Sequence, residues 1–202
     1  MKQILFLLSS FGVAPLALLA SENISEPAMS NLRTAFNGES NAHARYLAFA
    51  AKADVEGYAG AASLFRAAAR AEEIHAGNHA AVIKQFGGAP VANLEDLVVK
   101  STRENLEAAL KGEVYERDVM YPDFLRQATM EANAEVLRTF RFARAAEVEH
   151  ARLYREALQD LESMKASQTF YVCPVCGFTT QNPDSEPCPT CATPKETFEK
   201  VS

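Results

Sequence analysis

The chain has 202 residues, 48% of them hydrophobic and 23% charged, with a formal net charge of −6. That length supports one full core plus a small appendage. The acidic balance supplies none of the basic footprint that a phosphate backbone requires, which excludes nucleic acid as a partner. Abundant Ala, no Trp and modest Gly and Pro suit close-packed helices better than sheets, so the expected class is mostly α.

Residues 1–20 read as a signal-like leader. Lys2 supplies a positive start, and Ile4 to Ala20 form an uncharged run of 17 residues interrupted by Gly12 and Pro15. The run is short of the roughly 20 residues that a spanning helix needs, so no stable membrane span is expected. A cleaved leader places the protein outside the cytoplasm, exported or periplasmic. A start at Met29, just before the first helical pattern, leaves it cytoplasmic.

From Asn31, apolar residues recur at helical spacing through Leu32, Ala35, Phe36, Tyr46, Leu47, Phe49 and Ala50 until Glu56-Gly57 breaks the run. A second helix spans Ala61 to Phe86 and stops at Gly87-Gly88 with Pro90 beyond. A third runs from Ser101 to about Met120, where Tyr121-Pro122 disfavours continuation. A fourth runs from about Pro122 to Met164, with a possible bend or break at Ala132-Asn133. The expected organisation is a leader over 1–20, a four-helix bundle over 29–164, a linker over 165–169 and a metal knuckle over 170–202.

An internal repeat underlies the bundle. Asn31-Leu32, five residues, then Gly38-Glu39 is matched by Asn105-Leu106, five residues, then Gly112-Glu113. Each Glu is followed 33 or 34 residues later by a second one, Glu72 or Glu147, that carries His at i+3. Two copied hairpins close naturally into a bundle with the repeated polar residues facing one another across its axis.

Residues at i and i+3 share a helix face, so Glu72 with His75, Glu113 with Glu116, and Glu147 with His150 each present two ligands to one side, and Glu39 adds a single carboxylate. Five Glu and two His on four helices suit two hard, redox-capable ions such as iron or manganese. One isolated Glu-x-x-His is more often a solvated pair. Two, in matched positions on Ala-rich stretches, call for a cation to compensate buried carboxylates. One Glu from each of two helices plus Glu-x-x-His from the other two resembles the ferritin-like di-iron ligand set. Tyr46 and Tyr121 follow Glu39 and Glu113 by seven and eight residues and could hydrogen-bond the site, with ordinary core packing the equal alternative. His43 and His79 lie at i+4 from Glu39 and His75 and could support the ligands from behind, with ordinary surface or packing histidines the favoured reading.

All four cysteines lie in the tail. Cys173-Pro-Val-Cys176 and Cys188-Pro-Thr-Cys191, separated by 11 residues, make two knuckles able to wrap one tetrahedral metal. Spacing alone fits zinc equally well; a redox-capable site in the same chain favours one iron as a one-electron relay.

Together these residues resemble rubrerythrin: Gly38-Glu39-Ser40, Glu72-x-x-His75, Gly112-Glu113-x-x-Glu116, Met120-Tyr121-Pro122, Glu147-x-x-His150, then a rubredoxin-like tail. The resemblance runs from Asn31 to Val201. It implies a ferritin-like four-helix bundle followed by a small rubredoxin-like domain, holding two Fe in the bundle and one in the cysteine site, where zinc remains the alternative. It further implies a peroxidase that reduces hydrogen peroxide to water, with Glu72 and Glu147 bridging, Glu39, Glu113 and His150 terminal, and Glu116 and His75 exchanging between oxidation states. A homodimer or higher homo-oligomer, with the cysteine-bound iron of one subunit serving the other, and an upstream electron donor are implied in the same way. Ala192 departs from the Gly of free-standing rubredoxins, and a leader departs from a largely cytoplasmic family. The competing expectations are a ferritin-like iron oxidase or iron carrier, and a structural bundle with a zinc ribbon.

Overall fold

The computed structural model describes residues 24–182 and 187–202. The expected leader over residues 1–20 lies outside the described residues. Helix α1 (Glu26–Val55) begins ahead of Asn31, because the Ser25 side chain accepts from the Ala28 N–H and Pro27 sits in the first turn, where a missing N–H costs nothing. A tight turn closed by the Tyr58 N–H on the Ala53 carbonyl leads into α2 (Ala59–Gln85). These two helices form the first hairpin.

A non-helical connection then crosses to the second hairpin, held to α1 by Asn41 Nδ2 on the Asn93 carbonyl at 2.9 Å and by the Glu95 N–H on Asn41 Oδ1 at 2.8 Å. Helix α3 (Thr102–Tyr115) starts in a capping box, with Ser101 and Glu104 bonding each other's backbone N–H. Here the structure departs from the expected boundary. The helix does not stop at Met120; it passes through a π-helical turn, Glu116–Met120, into α4 (Tyr121–Glu131). Tyr121 keeps αR geometry and its N–H reaches the Glu116 carbonyl, an i→i−5 bond. Pro122 has no N–H to offer the Arg117 carbonyl, and Arg144 Nε donates to that oxygen instead at 3.1 Å. The widened turn thus absorbs the proline without ending the helix.

The chain breaks at Ala132, in left-handed geometry, and Asn133 caps α5 (Ala134–Gln159) through its side chain to the Val136 N–H. A short 3-10 turn at Ser163–Lys165 leads to a three-stranded antiparallel sheet of order β2-β1-β3, with β1 Phe170–Val172, β2 Thr179–Thr180 and β3 Glu199–Val201. The cysteine loops hang from this sheet.

Two buried clusters sandwich the polar layer of the bundle. One is built around Tyr46, Phe49, Phe65 and Tyr154; the other around Leu32, Ile83, Tyr121 and Phe140. Alanines fill much of α2, including Ala67, Ala68, Ala69 and Ala71, which lets the helices approach closely around the glutamates. The sheet module rests on the same bundle. Arg70 on α2 forks onto Glu199 at 2.6 and 2.8 Å, and Asn78 Nδ2 donates to the Val175 carbonyl at 2.9 Å. Among the described residues no helix is long and apolar enough to cross a membrane.

Candidate metal centre

The repeat read in the sequence becomes a pseudo-twofold arrangement in space. Glu39, Glu72, Glu113, Glu147, His75 and His150 are all buried to 1% exposure or less between α1, α2, α3 and α5. They form two groups of four, Glu39 with Glu72, His75 and Glu147, and Glu113 with Glu72, Glu147 and His150. Within each group the candidate ligand atoms lie within 4.8 Å of one another. Glu72 and Glu147 belong to both groups, which is the placement of two carboxylates shared between a pair of ions. Glu116 lies in neither group among the described residues; it sits at the head of the π turn, while His75 points into the site. Of the expected exchanging pair, His75 belongs to a ligand group and Glu116 lies outside both.

Each tyrosine crosses to the opposite hairpin. The Tyr46 hydroxyl donates to Glu113 Oε1, and the Tyr121 hydroxyl donates to Glu39 Oε1. Tyr46 follows Glu39 by seven residues and Tyr121 follows Glu113 by eight. The extra residue is the one taken up by the π turn, so both tyrosines face the site.

The histidine hydrogen bonds fix which nitrogen faces the carboxylates. His75 Nε2 lies 3.1 Å from the Cys176 carbonyl, which can only accept, so that nitrogen carries a proton and Nδ1 is turned to Glu72 Oε2 at 2.8 Å. His150 Nδ1 lies 2.8 Å from Glu147 Oε2, 3.4 Å from Glu72 Oε1 and 3.5 Å from Glu113 Oε2. Fully buried atoms without a hydrogen-bond partner include Glu39 Oε2, Glu72 Oε1, Glu113 Oε2, both carboxylate oxygens of Glu147, and His150 Nδ1. Orphaned acceptors of this kind are rare inside proteins, and here they converge. The layer requires positive charge, as protons or as metal ions.

Electrostatics show the strain. Burial, with Glu72 and Glu147 nearby, holds the Glu39 and Glu113 carboxyls well above the usual range. Desolvation, followed by the charges of Glu39 and Glu113, raises Glu116 likewise. Burial opposes ionisation of Glu147 and Glu72 as well, but the two histidines outweigh it and pull both below their ordinary value. Burial disfavours charge on His75 and His150, yet Glu147 foremost drives both upward. Protons thus stand where divalent ions would, and the donor set, oxygen-rich with one imidazole per group, fits hard redox-capable metals.

The four cysteines close a second site. Their sulfurs belong to one group within 4.8 Å; Cys173 and Cys191 lie 3.5 Å apart and Cys176 and Cys188 3.4 Å apart. None is in a disulfide. Hydrogen bonding from Cys176 holds the Cys173 thiol at about 5, while burial raises Cys188 to about 11. Two paired turns, with the Gly177 N–H on the Cys173 carbonyl and the Ala192 N–H on the Cys188 carbonyl, give the two-knuckle geometry of a tetrahedral thiolate site.

The rubrerythrin family model matches residues 30–158. The chain belongs to the rubrerythrin family. Nigerythrin of Nitratidesulfovibrio vulgaris is 39% identical over 171 residues, 84% of this chain and 84% of that protein. Rubrerythrin-2 of Clostridium acetobutylicum is 39% identical over 174 residues, 83% of this chain and 93% of that one. Among solved structures, fully reduced, all-ferrous nigerythrin superposes with a TM-score of 0.80 at 33% identity, covering 96% of this chain and all of that one. A bacterioferritin of Mycobacterium tuberculosis, at 20% identity and a TM-score of 0.64, covers 70% of this chain and 89% of its own and shares the fold of the bundle. The expected mostly α, ferritin-like bundle with a C-terminal cysteine knuckle is the architecture found.

Two features of this rubrerythrin went beyond the sequence reading. The cysteine loop lies on the bundle of its own chain, with the Cys176 carbonyl on His75, a contact that no sequence pattern announces. His79, expected to be an ordinary packing histidine, is fully buried, with Nε2 3.0 Å from the Tyr121 hydroxyl and Nδ1 2.8 Å from Thr139 Oγ1. Burial, then the nearby His75, lowers its pKa to about 3, so it is neutral at pH 7. Its i+4 spacing from His75 was the available signal. His43 instead donates from Nδ1 to the Ala69 carbonyl at 2.8 Å and ties α1 to α2.

Proposed function

We propose that this rubrerythrin is a non-haem di-iron peroxidase that reduces hydrogen peroxide to water, protecting against oxidative stress, with electrons relayed through one iron in the four-cysteine site. The reading rests foremost on one observation: two ligand groups sharing Glu72 and Glu147, with the Cys176 carbonyl 3.1 Å from His75 Nε2. Nigerythrin, solved in an all-ferrous state, supports iron as the metal.

Iron would supply the two electrons that, with two protons, convert one peroxide to two waters. Glu39 and His75 would hold one ion, Glu113 and His150 the other, and Glu72 and Glu147 both. Glu116 is the carboxylate that would take the place of His75 on oxidation. Tyr46 and Tyr121 orient Glu113 and Glu39 by donating to one oxygen of each, which leaves the second oxygen turned to the site. The apolar clusters on either side exclude bulk water from the polar layer.

A molar excess of hydrogen peroxide added anaerobically to fully reduced, iron-loaded protein should oxidise both centres, followed by the visible bands of each. Centres that stay ferrous refute the proposal. A ferritin-like iron oxidase would instead take up many irons per chain, where this reading saturates near three, two in the bundle and one on the cysteines.

A further inference from the structure

Among the described residues, Thr179 brings the sheet module to His150. It lies in β2, is fully buried, and pairs with Val172 in the sheet. Its hydroxyl has a single hydrogen, which is committed to the Gly177 carbonyl at 3.0 Å. Toward His150 Nε2, 3.1 Å away, the same oxygen can therefore only accept. The proton on His150 is thereby fixed at Nε2, and the Nδ1 lone pair is aimed at the carboxylates of Glu147, Glu72 and Glu113. The Cys176 carbonyl does the same for His75 on the other side of the pseudo-twofold. Both imidazoles are thus oriented by four consecutive residues of the cysteine module, Cys176 to Thr179, through a carbonyl on one and a hydroxyl on the other.

We infer that Thr179 is a positioning residue for the bundle's dinuclear centre, holding His150 in the tautomer and ring orientation that ligates metal through Nδ1. The inference rests on the metal-centre part of the proposed function and not on peroxide as substrate. Outer-shell partners of a ligating imidazole set its orientation and basicity, and losing one weakens metal binding by about 10- to 100-fold. The hydroxyl is the operative group. Thr179→Val keeps the branched shape in the strand and leaves the buried Nε2–H unpaired; Thr179→Ser keeps the hydroxyl.

The test is anaerobic titration of the full chain with Co(II), whose intense thiolate charge-transfer bands report the cysteine site and whose weaker ligand-field bands report the bundle, followed by chelator competition. Thr179→Val should bind cobalt in the bundle about 10- to 100-fold more weakly with the cysteine site unchanged, and Thr179→Ser should restore bundle affinity to within about threefold of wild type. Zn(II)-loaded protein labelled at histidine should show a slowly exchanging His150 Nε2 proton by nitrogen-15 NMR in wild type and Thr179→Ser, lost in Thr179→Val. Wild-type bundle affinity in Thr179→Val would overturn the inference. So would equal weakening by Val and Ser, or weakening of both metal sites together, since either assigns Thr179 a packing role. A wild-type bundle that takes up no cobalt would overturn the metal-centre reading itself.

Discussion

Gly177 is a close approach between the cysteine loop and the bundle, and Gly177→Ala should force them apart. The residue sits at φ +75°, and a Cβ built there would fall 2.3 Å from His75 Nε2, 2.8 Å from His75 Cδ2 and 3.2 Å from the Ala71 carbonyl. Two penalties follow. A side chain in the left-handed region costs about 1–2 kcal/mol, and overpacking a close contact costs about 1–3 kcal/mol. His75 cannot simply retreat, because Nε2 is hydrogen-bonded to Cys176 and Nδ1 faces Glu72. The expected loss is about 2–5 kcal/mol from these two costs, of which only the steric part depends on His75. Denaturant unfolding of Gly177→Ala in wild-type and His75→Ala backgrounds isolates that part as a coupling energy of about 1–3 kcal/mol. A loss below about 0.5 kcal/mol, or the same loss in both backgrounds, refutes the contact as the cause.

Glu56 accepts from the Thr102 N–H at 2.7 Å and its hydroxyl at 2.6 Å, and pairs with Lys52 at 3.0 Å, which joins the end of α1 to the start of α3. Those Thr102 bonds, then Lys52, lower its pKa to about 2, so Glu56→Gln should cost about 1–2 kcal/mol at pH 7. Because the folded pKa is depressed, that advantage is complete above the unfolded value and fades as pH falls from about 5 toward 2; a difference between the two proteins that is independent of pH refutes the linkage. Ala192 holds φ +60° in the second knuckle, and Ala192→Gly should stabilise the metal-loaded module by up to about 1 kcal/mol, left-handed strain being partly offset by the chain entropy of Gly, as read from thermal unfolding. If electrons pass within one chain, co-expressing Glu147→Gln with Cys173→Ser should give no peroxidase activity above that of either variant alone, whereas recovery in the mixed oligomer would show transfer between subunits.

The candidate ligands were legible because chemistry and periodicity coincide in them. Glu-x-x-His occurs on Ala-rich stretches where carboxylates have no solvent to face, and the duplication doubles the signal. The helix boundaries were less so. Tyr121-Pro122 reads as a stop because the residue before proline avoids αR, yet the π turn and Arg144 satisfy what proline leaves open. Arg144 lies 27 residues from Arg117, and no local pattern announces that bond. The docking of the module was illegible for a different reason. Its decisive groups are the Cys176 carbonyl, common to every residue type, and the hydroxyl of one of two adjacent threonines.

The seven-against-eight spacing of Tyr46 and Tyr121 was the one trace of the π turn in the sequence, and it explains why the turn exists. In an uninterrupted α-helix an eighth residue falls about 100° past the seventh, so Tyr121 would leave the site and Glu39 would lose its donor. The inserted residue opens the helix beside Glu116, at the carboxylate that stands outside both ligand groups. A widened turn relaxes the constraint on its first residue, and π turns recur at functional sites. The same irregularity therefore restores one hairpin's symmetry with the other and breaks it at Glu116, whose counterpart in the first hairpin is Ala42. That asymmetry leaves one carboxylate on a widened turn outside both ligand groups, while His75 inside its group is held by the Cys176 carbonyl.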